Sequence, residues 1–127
     1  MNISEAAAAS SLPVKTVRYY ADIGLVAPKR AGNGYRIYDD AMVEKLRFVG
    51  RARQFDFSVD ECRELLALYE DRQRPSAAVK GIASTHLAAI DQRLTALQGL
   101  RDTLATLVDG CAGDDRPDCP ILEGLAK

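Results

Sequence analysis

The segment from Ser76 to about Val108 constrains this chain most. It contains no proline, and its only glycines are Gly81 and Gly99. Ala83, Leu87, Ile90, Leu94, Leu97, Leu104 and Val108 recur at three- and four-residue spacing, with Arg101 interrupting one position. That period marks a single apolar stripe on a long helix. About 33 residues at a rise of 1.5 Å each make a rod of roughly 50 Å. A rod of that length is hard to bury within 127 residues. The stripe therefore calls for a second copy, and we expect a homodimer held by a dimerisation helix (coiled coil) over residues 76–108. The competing arrangement folds the rod back on the chain's own N-terminal part.

Charge divides the rest. Residues 1–55 carry nine basic and five acidic side chains, and residues 56–127 carry eight and thirteen. A basic lobe joined to an acidic one points to a polyanion for the first, nucleic acid above all; the competing reading is charge scattered over two solvated faces. Trp is absent and aromatics make up only 6%, which argues against a large aromatic-lined substrate cavity. No nucleophile–base pair, His-rich site or phosphate-binding glycine loop is visible, so an enzyme is not expected. No apolar run reaches the roughly 18 residues of a membrane span. The Met-Asn-Ile-Ser-Glu start has neither the basic nor the apolar region of a secretory signal, and the expected compartment is a reducing cytoplasm.

Within residues 1–70 the pattern is that of a winged helix-turn-helix lobe. Ile3 to Ser10 is Ala-rich, with Ser4 placed to cap it and Glu5 in its first turn. A break at Ser10-Ser11-Leu12 precedes Pro13 at a favourable first helical position. The second helix carries Val14, Val17 and Tyr20 on one stripe and closes at Gly24. Lys15, Thr16, Arg18 and Tyr19 lie off that stripe and suit phosphate and base-edge contacts. Residues 26–38 read as a small β-wing turning at Asn33-Gly34 and bearing Lys29, Arg30, Tyr35 and Arg36. A third helix opens at Asp39 or Asp40 and aligns Met42, Val43, Leu46, Val49 and Ala52. Ser58-Val59-Asp60-Glu61 has the form of a capping box and starts a fourth, with Leu65, Leu66 and Leu68.

The tail, residues 109–127, holds Cys111 and Cys119 around a turn-rich loop, followed by a short apolar helix from Pro120 that could lid it. Cys62 reads as a small core or surface residue, and His86 as a solvated residue of the rod. A disulfide fits the Cys111–Cys119 spacing but is disfavoured in a reducing compartment. Two thiolates without a nearby histidine make a poor zinc site, which wants four ligands. They suit a soft monovalent ion such as Cu(I), Ag(I) or Au(I). Spacing alone leaves both a metal loop and a chance pair open.

Val17-Arg18-Tyr19-Tyr20, Gly24-Leu25-Val26 and Asn33-Gly34-Tyr35-Arg36-Ile37-Tyr38 resemble the DNA-binding lobe of MerR-family transcription regulators. The loop with Gly113-Asp114-Asp115 and Asp118-Cys119-Pro120-Ile121 resembles that of the family's copper-responsive branch. The resemblance covers essentially the whole chain. It implies a mainly α fold with a winged helix-turn-helix lobe, a long dimerisation helix and a C-terminal metal-binding loop. It also implies DNA contacts from Lys15, Thr16, Arg18 and Tyr19 in the second helix, from Arg30, Tyr35 and Arg36 in the wing, and from Arg53. Cys111 and Cys119 match the two thiolate ligands, with one Cu(I), or Ag(I) or Au(I), per protomer. Ser76 matches a position that is cysteine in zinc-responsive relatives, so serine there favours a monovalent ion.

The implied partners are double-stranded promoter DNA, a second copy of the chain, and RNA polymerase indirectly through the promoter, with no membrane. The alternatives are a sensor of a divalent metal or organic ligand on the same scaffold, and a thiol metallochaperone or coiled-coil adaptor that does not bind DNA.

Overall fold

The computed structural model describes all residues, 1–127. Six helices and one hairpin follow in order: α1 (Ile3–Ser10), α2 (Val14–Asp22), β1 (Lys29–Arg30), β2 (Arg36–Ile37), α3 (Asp40–Gln54), α4 (Val59–Glu70), α5 (Ser76–Asp109) and α6 (Pro120–Ala126). They form two compact units, Met1–Val79 and Lys80–Lys127.

In the first unit, α1 packs on α2 and α3, and α3 on α4. The core is Val17 and Tyr20 of α2, Leu25, Val26 and Tyr38 around the wing, Val43, Leu46, Val49 and Ala52 of α3, and Cys62, Leu65 and Leu66 of α4. The α3 stripe is as its period predicts, except that Met42 and, on α4, Leu68 are only half-buried. Lys45 bridges to Glu70 at 2.8 Å, and Phe48 stacks on Tyr69 with ring centres 4.6 Å apart, both joining α3 to α4.

Helix ends follow cap chemistry. Ser58 and Glu61 form the expected capping box on α4, and Asp39 caps α3 by accepting from the Met42 N–H. At α1 the cap is Asn2, not Ser4: Asn2 and Glu5 form a reciprocal capping box, and helix begins at Ile3. Glu5 decides the register, because it reaches the backbone three residues earlier. Pro13 is the residue before α2 and not its first helical position. α2 ends in a Schellman motif: Leu25 N–H bonds Tyr20 O, Gly24 N–H bonds Ala21 O, and Gly24 holds φ +72°.

The wing turns through three residues, not two. Gly34 N–H bonds Ala31 O, Ala31 N–H bonds Tyr35 O, and Gly34 at φ +82° supplies the left-handed residue that ends such a loop. Its strands pair antiparallel, Lys29 with Ile37 and Arg30 with Arg36. Tyr38 lies beyond the strand and is fully buried.

α5 extends over 34 residues, starting at Ser76 in the first unit and ending at Asp109 in the second. Its apolar seam is largely uncovered in the single chain: Leu87, Leu94, Leu97, Leu104 and Val108 are all at least half exposed. Arg101 on the seam pairs with Asp102 on the same helix at 3.1 Å. The neighbouring Leu100, 68% exposed, gives the stripe an apolar side chain there. His86 is buried, at 8% exposure, and not on a solvated face. No helix is long and apolar enough to cross a membrane.

The Tyr38 hydroxyl is buried without a hydrogen-bond partner. Removing an unsatisfied group while keeping the ring relieves a desolvation penalty. Tyr38→Phe is therefore expected to leave stability unchanged or raise it by about 1 kcal/mol. Leu46→Ala, at a fully buried site, is expected to lower it by about 2–5 kcal/mol. Urea unfolding of both variants checks the contrast, and a clear loss in Tyr38→Phe would mean that the hydroxyl has a bonded partner in solution.

Candidate functional site

The site has two parts, one in each compact unit. In the first, α2 gives only Val17 and Tyr20 to the core, and its remaining face is polar. Lys15 and Arg18 are exposed, Tyr19 is 50% exposed, and Thr16 is half-buried. The hairpin brings wing residues to the same side. A hollow of about 410 Å³ is lined by Arg18 from α2, by Arg30, Gly34, Tyr35 and Arg36 from the wing, and by the start of α1. Three guanidiniums and an exposed tyrosine ring thus share one concave surface, a charge and shape suited to a phosphate backbone.

The polar contacts sort these cations. Lys15 and Arg18 make no hydrogen bond or ion pair within the chain. Arg30 donates to the Gly34 carbonyl at 3.2 Å, stiffening the wing. Arg36 pairs with Asp22 at 3.1 Å, tying the wing to the end of α2. Asp22 was not legible as part of the site. Its one signal is an acidic residue in the last turn of a helix, where the backbone dipole disfavours it, and the Arg36 pair offsets that. Arg53 does not line the hollow. It donates to the Phe57 carbonyl at 2.6 Å and braces the turn between α3 and α4.

In the second unit, Cys111 follows the end of α5, its N–H bonded to the Val108 carbonyl. Cys119 is the residue before α6, and its carbonyl accepts from the Glu123 N–H. Both thiols are free and half-buried. Gly113 at φ +65° turns the loop between them, and Asp114 pairs with Arg116 at 3.3 Å. α6 lies close on α5: a Cβ at Gly124 would come within 2.7 Å of Leu107 Cδ2, so a larger residue fits only if Leu107 turns away. Nowhere do three or more His, Cys, Asp or Glu side chains gather as a multidentate metal cluster. The donors at hand are two thiols, which fit a two-coordinate soft cation and leave a four-coordinate divalent ion short of ligands.

Cys62 is a different thiol. It is fully buried in α4, and burial pushes its pKa up, with the Arg53 charge partly opposing.

Residues 1–68 match the MerR HTH family regulatory protein family, and residues 43–107 match the family described as MerR, DNA binding. The chain belongs to the MerR family. Its relatives include the HTH-type transcriptional regulator HmrR of Rhizobium leguminosarum bv. viciae, 59% identical over 99% of this chain and 98% of that protein. The HTH-type transcriptional regulator CueR of Salmonella typhimurium is 41% identical over 99% and 92%. Among solved structures, the transcription regulator PbrR691 from Ralstonia metallidurans CH34, in complex with lead(II), superposes with a TM-score of 0.85. It is 30% identical and aligns over 98% of each chain. This MerR-family chain is a transcription regulator and not an enzyme, and its fold is the one expected from sequence.

The contrast among the three cysteines is directly testable. A neutral, buried thiol reacts slowly and an accessible one quickly. Under anaerobic native conditions, iodoacetamide mapped by mass spectrometry is expected to modify Cys111 and Cys119, and Cys62 only after unfolding. Native modification of Cys62 would contradict its burial.

Proposed function

We propose that this MerR-family regulator is a copper-responsive transcriptional activator. It works as a homodimer on promoter DNA and responds to Cu(I), and also to Ag(I) and Au(I), at Cys111 and Cys119, one ion per protomer. The observation that carries the reading is the donor set: two free, half-buried thiols at the ends of one loop, with Ser76 and not a third cysteine at the start of α5. The match of the loop to the copper-responsive branch supports it, as does the likeness to HmrR and CueR over nearly the whole chain.

In this reading residues 1–70 form the DNA-binding lobe, residues 76–108 the dimerisation helix and residues 109–127 the metal loop. Lys15, Thr16, Arg18 and Tyr19 enter the major groove on α2, while Arg30, Tyr35 and Arg36 follow the flanking backbone from the wing. Arg53 adds charge near the duplex while bracing its own turn. The exposed leucines of α5 meet those of a second copy, which buries a surface too apolar to stay open to water. Cys111 and Cys119 would hold a monovalent ion through their thiolates, and the ion would supply sulfur bonds linking the two ends of the loop. The two cysteines would thereby restrict α6, whose Gly124 lies against Leu107, relative to the end of α5. Such a restriction would favour one of two arrangements of the paired lobes.

The favoured arrangement bends and untwists the promoter spacer. RNA polymerase then engages both promoter elements, a use of DNA deformability as a switch. A coupling of about 1–3 kcal/mol suffices for a several-fold to roughly hundredfold response. The setting is the cytoplasm, and the regulated genes are those of copper export and detoxification.

Cys111→Ser and Cys119→Ser are expected to abolish metal-induced transcription while operator binding stays within about twofold of wild type. Arg18→Ala is expected to weaken binding in both metal states. An anaerobic Cu(I) titration against a competing chelator, with stoichiometry per dimer, tests the donor set. Uptake that survives both Cys→Ser changes would overturn it. Ser76→Cys is expected to gain a response to Zn(II) in a reporter, and a reporter still blind to zinc would remove residue 76 as a selectivity determinant.

A further inference from the structure

Both helices of the helix-turn-helix end on carbonyls held by an arginine from another helix. Arg47 of α3 donates through Nε at 3.1 Å and Nη2 at 2.8 Å to the carbonyl of Ala9, in the last turn of α1. Arg63 of α4 donates through Nη2 to the Ile23 carbonyl at 3.1 Å and through Nη1 to the Gly24 carbonyl at 3.5 Å, just past the end of α2. Several neighbouring carbonyls are satisfied within the same segment. Ser10 Oγ donates to Ala6 and Ala7, and the Schellman bonds serve Tyr20 and Ala21. The two guanidiniums, beside the Tyr20–Arg53 side-chain contact, make polar contacts that join these helix ends to α3 and α4. The negative end of a helix dipole favours a cation there, and the forked guanidinium suits a pair of hydrogen bonds better than an ammonium does.

We propose that Arg47 and Arg63 are positioning residues. They clamp the carbonyl ends of α1 and α2 to α3 and α4, and so set the angle at which α2 offers Lys15, Arg18 and Tyr19 to DNA, without touching DNA themselves. The inference rests on α2 being the helix that reads the duplex. Its physical basis is how α2 is anchored. Val17 and Tyr20, one turn apart, are its buried side chains and fix how deep the helix sits. Its far end is held by the Arg36–Asp22 pair from the wing, by Leu25 and Val26 just beyond it, and by Arg63, whose guanidinium ties it to α4.

Arg47 and Arg63 are exposed, so direct phosphate contact is the rival role, and salt dependence separates the two. The full chain is titrated by fluorescence anisotropy with a duplex that the wild-type protein selects from random DNA. Arg47→Gln, Arg63→Gln, Arg47→Lys, Arg63→Lys and Arg18→Gln are compared at several salt concentrations, well below each melting temperature. Each Gln variant is expected to bind about 2- to 10-fold more weakly, the equivalent of one net hydrogen bond, with an unchanged slope of log K against log salt. The Lys variants are expected to lose affinity too, although they keep the charge.

Affinity unchanged in folded Gln variants, even with a lowered melting temperature, would reduce the arginines to stabilising contacts and overturn the proposal. A slope reduced by about 0.9 per residue would overturn it in favour of phosphate contact. If Arg18→Gln also leaves binding intact, the reading of α2 falls and the clamp with it. A loss in Arg18→Gln beside silent clamp variants overturns the clamp alone.

Discussion

The burial of Val17 and Tyr20, on the helix that packs against α1, is the interaction on which the exposed polar face of α2 depends. Two side chains one helical turn apart hold α2 down, and Val17 is fully buried. The rest of the helix is then free to carry Lys15, Arg18 and Tyr19 outward. Leu25 and Val26, buried directly after the Gly24 turn, pin the chain where it leaves α2 and launch the wing. Tyr38, fully buried at the wing's exit, pins its return. The concave surface thus joins Arg18 of α2 to Arg30, Tyr35 and Arg36 of a hairpin whose two ends are anchored in the core.

Much of this was legible because the chain states it in local terms. The α3 stripe, the Ser58–Glu61 capping box and the Gly24 stop depend on residues within a few positions of one another, and periodicity and cap chemistry read them directly. The misreadings are cases where two local rules competed or a distant partner decided. Ser4 and Asn2 are both good caps, and only the reach of Glu5 chooses between them. Asn33-Gly34 signals a tight turn, yet the Ala31–Tyr35 backbone bond sets a longer one. His86 is polar and follows Ser84 and Thr85, so its immediate neighbours gave no sign that it is buried. Arg47, Arg63 and Asp22 bond to groups 14 to 40 residues away, a separation at which sequence spacing carries no information. Cys111 and Cys119 were legible as chemistry because thiols are few, while their half-buried setting required the fold.

The second unit poses the opposite problem. Its helix is certain from pattern, yet its packing is incomplete in one chain, since a row of leucines along α5 remains open to solvent. Arg101 looks like a flaw in that row only if the repeat is taken as a rigid alternation. Its guanidinium turns to Asp102 on the same helix, and Leu100, Leu97 and Leu104 keep an apolar path past it. A cation beside a seam can lay its methylene stem along the apolar surface while its head stays in water. A seam built this way tolerates one arginine without losing continuity.

The net charge of residues 1–55 overstates their free cations. Among their nine basic residues, Lys29, Arg36 and Lys45 are ion-paired with Asp39, Asp22 and Glu70. Arg30, Arg47 and Arg53 are hydrogen-bonded to backbone carbonyls, and Arg51 lies over the Phe55 ring. Lys15 and Arg18 remain, both on α2. A guanidinium bonded to a carbonyl keeps its full charge and spare donors, so it can still meet a phosphate, but from a fixed position. An ion-paired cation must first give up its carboxylate. The basic face is therefore graded: two unengaged cations on the helix, a pre-oriented Arg30 on the wing, and an Arg36 that any phosphate must win from Asp22. Such grading would limit indiscriminate attraction to any polyanion, because a ligand must fit both helix and wing to draw on all four.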